Sequence, residues 1–100
     1  MDPNKVVSPR DKWHTARLLH DGRTGGGHSI ALGFWQGEPV IATRWDGEDG
    51  ALGHPTSFAY AVWFIQPRMF WEGILACGEI FPDDIKFARL FLRLDAAKAA

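Results

Sequence analysis

Arg44, Trp45 and Asp46, followed by Glu48, Asp49 and His54, form the densest group of chemically capable side chains in the chain. They gather where a strand pattern gives way to a long loop, a position from which loops present binding groups on a rigid scaffold. Such a set could catalyse, with His54 as general base, Asp46 or Asp49 orienting it, and Arg44 holding an anionic substrate. That reading predicts a small hydrolase or isomerase. It lacks a nucleophile, because neither Ser57 nor Cys77 carries a local signature of activation. Calcium fits poorly too, since Asp46-Gly47-Glu48-Asp49-Gly50 departs from the alternating oxygen-ligand loop and has no closing Glu. The competing reading is structural: Asp and Gly make the turn, Arg44 pairs with a nearby carboxylate, and Trp45 packs on the core.

His20, Asp21 and His28 flank a glycine-rich run, Gly22 to Gly27. If the strands on either side pair symmetrically, the two imidazoles meet at the mouth of the loop, where with Asp21 they could hold zinc or copper. A fourth ligand is missing, and the spacing matches no compact metal motif. His14 lies about 20 Å further along its strand. The glycine run itself could cradle an anion. However, it leads into a strand pattern, whereas the dinucleotide and phosphate-loop motifs lead into a helix. No cofactor is expected, and the run reads as a hairpin loop.

The aromatic content is unusual: five Trp, seven Phe and one Tyr in 100 residues. Each ring can bury about 150–250 Å², more in total than so small a domain easily hides, and the excess predicts a second, intermolecular surface. Trp35, Trp45 and Trp63, with Arg44 and His54, are the candidate lining of an aromatic ligand site. Aromatic strand residues can also stack on nucleic-acid bases. Here eleven Lys and Arg against twelve Asp and Glu leave a net charge of −1, so the backbone attraction of a nucleic-acid binder is missing.

The elements that must position these residues follow from periodicity. Strands are expected at about 13–20, 28–36, 39–46 and 58–65. In the second, Ile30, Leu32 and Phe34 face away from Ser29, Ala31, Gly33 and Trp35. In the third, Val40, Ala42 and Arg44 oppose Ile41, Thr43 and Trp45. The fourth is apolar on both sides, which predicts a strand covered on both faces or lying at an interface. Pro67 opens a helical pattern over 67–78 with Gly78 placed to end it. Pro82-Asp83-Asp84 opens another, over 82–98, whose polar stripe is Lys86, Arg89 and Arg93. A strand over 85–94 also fits the alternation, and the helix is preferred.

These readings define an α+β fold, an antiparallel sheet of three to four strands followed by two C-terminal helices packed on it. Residues 1–11 are expected to form a flexible arm and 12–100 a single domain. One cysteine, Cys77, excludes an intrachain disulfide and suits a reducing compartment, so the cytoplasm is the expected address; no membrane span is visible. The function expected is a small non-enzymatic binding or assembly domain. It would form a homodimer through the C-terminal helix or the 58–65 strand, with a site for a small organic ligand or a protein partner. The hydrolase or isomerase, and an accessory factor docking on nucleic acid or its enzymes, are the alternatives.

Overall fold

The computed structural model describes residues 1–23, 27–48 and 50–94. The chain is α+β. Strands β1 (Trp13–His20), β2 (His28–Trp35) and β3 (Glu38–Trp45) form an antiparallel meander. Two further strands, β4 (Thr56–Ser57) and β5 (Tyr60–Ala61), make a separate small hairpin, and β6 (Phe64–Ile65) completes the main sheet in the order β1-β2-β3-β6. Two helices follow, α1 (Trp71–Leu75) and α2 (Pro82–Phe91).

Cross-strand partners share a face, so the β2–β3 register sorts the core into two layers. Ile30 opposite Thr43 and Leu32 opposite Ile41 face the helices. There they bury with Leu19, Trp71, Leu75, Ile80, Ala88 and Leu92. Ala31 opposite Ala42 and Gly33 opposite Val40 face the other way. On that side Trp13 and Trp63 pack with Val6 and Ala61, their rings 5.9 Å apart. Small side chains on this face of β2 leave the depth that two indoles need.

Residues of the 1–11 segment take part in covering the second face. Pro3–Lys5 form a single 3-10 turn, and Pro3 and Val6 are buried. The Trp63 indole donates to the Val6 carbonyl at 3.1 Å, and Ser8 bridges to Val62. Two apolar side chains among polar ones suffice to anchor a segment once a tryptophan-lined face awaits them.

The 58–65 segment is not one strand. Phe58 and Ala59 take left-handed backbone, φ 49° and 66°, and fold β5 back onto β4, with Thr56 opposite Ala61 and Ser57 opposite Tyr60. Only Phe64 and Ile65 join the main sheet, opposite Thr43 and Ala42. Alternation alone fits either arrangement, and Phe58-Ala59 carries none of the Gly, Asn or Asp that marks such a turn.

The first helical segment begins as a 3-10 turn at Arg68–Phe70 and narrows to α1; Gly78, at φ 89°, turns the chain beyond it. The second is a helix, as preferred, with Pro82 in its first turn and Asp83 and Asp84 at the positive end of its dipole. It stops at Phe91, short of the expected 98. Arg93 enters the left-handed region at φ 60°. The amides of Arg93 and Leu94 then bond back to the carbonyls of Leu90 and Arg89, at 3.1 and 2.9 Å. That pairing is the Schellman motif, and it returns Leu94 to the helix-side core. Residues 95–100 lie outside the described residues.

Nor is the polar stripe of α2 uniformly solvated. Arg89 turns to Glu72 of α1, its Nη2 at 3.4 Å from Oε2. Arg17 of β1 bonds Asp84 at 3.2 Å and lies 3.7 Å over the Phe87 ring. Phe87 in turn stacks on Phe91, which meets Phe34 edge-on at 5.2 Å. No helix among the described residues is long and apolar enough to cross a membrane.

Candidate functional site

The residues singled out by chemistry divide into a buried clamp and scattered rings. Ser29 and Arg44 are partners in the β2–β3 register, and Asp46 follows Arg44 on the same face; all three are buried. The Arg44 Nε donates to Asp46 at 3.2 Å, and its Nη1 to the Val62 carbonyl at 2.6 Å. Its Nη2 donates to the Leu52 carbonyl, and Ser29 donates to the second Asp46 oxygen. Burial pulls the Arg44 pKa down while the charge of Asp46 pushes it up. The guanidinium thus ties β3 to two loops. Gly53 permits the approach: it takes φ 69°, and a Cβ there would come within 2.7 Å of the Arg44 Nη2.

That geometry follows the structural reading of Arg44 and Asp46. Asp46 gives its carboxylate oxygens to Ser29 and Arg44. His54, the base of the catalytic reading, is exposed on the surface. Its ring stacks on Trp45 at 5.4 Å, and the two backbones exchange bonds of 2.7 and 2.8 Å. Asp49 lies outside the described residues.

The expected aromatic ligand site is divided in the same way. Trp35 and Trp63 belong to the core opposite the helices. Trp45, opposite His28, sits at the other end of the β2–β3 hairpin from Trp35, opposite Glu38, about 23 Å away at ~3.3 Å per residue. Arg44 presents no free donor face to a ligand between them.

For the metal candidates, bulges between Thr15 and Arg17 and between Leu18 and His20 shift the β1 register, placing His20 opposite Ile30. His28 instead faces Trp45. His20, Asp21 and His28 do line one cleft, with Glu79. Among the described residues, no three His, Cys, Asp or Glu side chains stand close enough to hold a metal ion. Asp21 is taken by Arg23 at 2.6 Å, a hydrogen bond that lowers its pKa.

The feature that the sequence reading missed is the tip of the β4–β5 hairpin. Phe58 is 93% exposed and Tyr60 is 65% exposed. Beside them runs a groove of about 270 Å³ lined by Ser8, Pro9, Ser57, Phe58, Tyr60 and Val62. The Val62 amide donates to the Pro55 carbonyl at 3.1 Å, fixing the base of the hairpin. A large apolar ring in the left-handed region costs about 1–2 kcal/mol of backbone energy, and exposure gives nothing back in the isolated chain. Such outliers recur where a surface is used. The only signal in the sequence was the two-sided apolar pattern of 58–65.

No protein-family model matches the chain, and no curated protein or solved structure matches it. The fold and this surface define an α+β domain with a projecting aromatic hairpin.

Proposed function

We propose that the chain is a small binding or assembly domain that pairs with a second copy of itself through the β4–β5 hairpin. The observation that carries this is Phe58, an almost fully exposed ring held on a strained turn. A twofold interface must be self-complementary, its projection and its recess lying on one patch. Phe58 is such a projection, and the groove of Pro9, Tyr60 and Val62 beside it is such a recess. The rings of Phe58 and Tyr60 offer roughly 300 Å² per copy. That is over a third of the ~800 Å² that a stable interface covers on each partner, from two side chains.

The test is sedimentation velocity across micromolar concentrations, with wild type, Phe58→Asn and Leu90→Glu. Asn tolerates the left-handed region, so Phe58→Asn keeps or raises thermal stability and yields a monomer. Leu90, 67% exposed on α2, stands for the C-terminal helix, and Leu90→Glu leaves the dimer intact. A wild type that is monomeric throughout overturns the proposal. So does a dimer that only Leu90→Glu dissociates, which would move the interface to α2.

A further inference from the structure

We propose that the cleft between the N-terminal segment and the start of β1 binds a small organic oxyanion, a carboxylate or phosphate ester on a compact apolar body. Its walls are Asn4, Val7, Arg10, Trp13, His14 and Thr15, and it holds about 370 Å³, within the ~300–1,000 Å³ range of small-molecule sites.

Arg10 brings a guanidinium to this cleft. Arg17, Arg23, Arg44 and Arg89 each meet a carboxylate, and Arg68 lies over the Trp71 ring. Among the described residues, neither Arg10 nor Arg93 has an ion pair, and it is Arg10 that lines this cleft. Its planar fork matches the oxygens of a carboxylate or phosphate two at a time. It is carried on a turn closed by the amides of Lys12 and Trp13, which bond the Pro9 carbonyl at 3.0 and 2.8 Å, so its backbone is set before any ligand arrives.

Thr15 supplies a hydroxyl donor. The Trp13 indole donates to Thr15 Oγ1 at 2.9 Å, which leaves the hydroxyl proton of Thr15 free to be donated in turn. Asn4 adds an amide from the 3-10 turn, held by its own backbone bond to Asp2 at 2.9 Å. His14 adds an imidazole. Val7, exposed on the cleft wall, gives the apolar contact that a bare inorganic ion cannot use. The cleft and the hairpin groove lie along the same N-terminal segment, which contributes Asn4, Val7 and Arg10 to one and Ser8 and Pro9 to the other, but anion binding needs no dimer.

The experiment is an NMR titration of backbone and indole N–H resonances with phenyl phosphate and, separately, benzoate, with benzyl alcohol as the neutral control. Saturable shifts of the Trp13 indole and the Arg10 to Thr15 amides are expected with at least one anion, and which one responds identifies the head group. Arg10→Gln weakens binding about tenfold, Lys86→Gln on α2 leaves it unchanged, and Phe58→Asn retains it. Shifts of equal size with benzyl alcohol, undiminished binding by Arg10→Gln, or no saturation with either anion would each overturn the assignment.

Discussion

Gly33 on β2 lies directly beneath the Trp13 ring of β1. A Cβ at this position would overlap the indole Cη2 and stand 2.7 Å from the His14 carbonyl oxygen. The glycine is therefore the complement of the tryptophan, and the pair sets how closely the two strands and the N-terminal segment assemble. Gly33→Ala must displace a buried ring or the β1 backbone. It is expected to cost about 1–3 kcal/mol, the usual range for overpacking, read as a lower urea midpoint with an unchanged slope. An unaltered midpoint would mean that Trp13 has room that the packing does not show.

Among the described residues, Asp46 is the carboxylate that pairs with Arg44, and both side chains are shut off from water. Asp46→Ala leaves a buried guanidinium without its counter-charge and Ser29 without its acceptor. Loss of one partner of a buried pair costs about 3–5 kcal/mol, a large part of the stability of a domain this size. Chemical denaturation of the variant should show this loss, and a change below about 1 kcal/mol would show that water or rearrangement replaces the carboxylate.

Asp21 gives a pH dependence of defined sign. Its folded-state pKa is lowered, chiefly by the hydrogen bond from Arg23. Its contribution is thus full above the ordinary Asp range near about 4 and is lost as pH falls through the depressed folded value. Arg23→Gln should return the Asp21 titration toward the ordinary range in carboxyl NMR. The stability gap between wild type and variant should be present at neutral pH and close in acid. Both groups are partly exposed, so the gap is small; a gap that widened on acidification would contradict the ion pair.

Arg93 holds the left-handed position of the α2 C-terminal motif, a place that glycine fills without a Cβ penalty. Arg93→Gly is expected to stabilise the chain by about 0.5–1 kcal/mol, seen as a higher thermal midpoint. A fall would indicate that the Arg93 side chain makes a contact worth more than the backbone strain.

The faces of β2 and β3 were legible because alternation at period two is local. Ile30, Leu32 and Ile41 face the helices, and Ala31 and Ala42 face away, as their spacing required. The start of α2 at Pro82 was legible for the same reason, its proline and acidic first turn being signals that act within a few residues. The end of α2 was not, since Ala96 to Ala100 favour helix by propensity while the termination at Arg93 depends on Leu94 reaching a core assembled from β1 to β3. The candidate site was less legible still. Arg44, Asp46 and His54 are adjacent in sequence and chemically suggestive, yet two of them close a buried clamp with Ser29 and the third stacks on Trp45 in solvent.

By itself, then, the sequence determined the elements whose pattern repeats over a few residues: three strands, two helical segments, and more aromatic surface than one small core absorbs. Tertiary structure decided the rest. It buried Trp13 and Trp63 against small residues on β2 and β3, laid the N-terminal segment over them, and folded 56–61 into a hairpin that leaves Phe58 outside. The physical reason is that burial is set by what lies across space from a side chain, and two residues such as Trp13 and Gly33, or Val6 and Trp63, carry no mark of their pairing until the chain has closed.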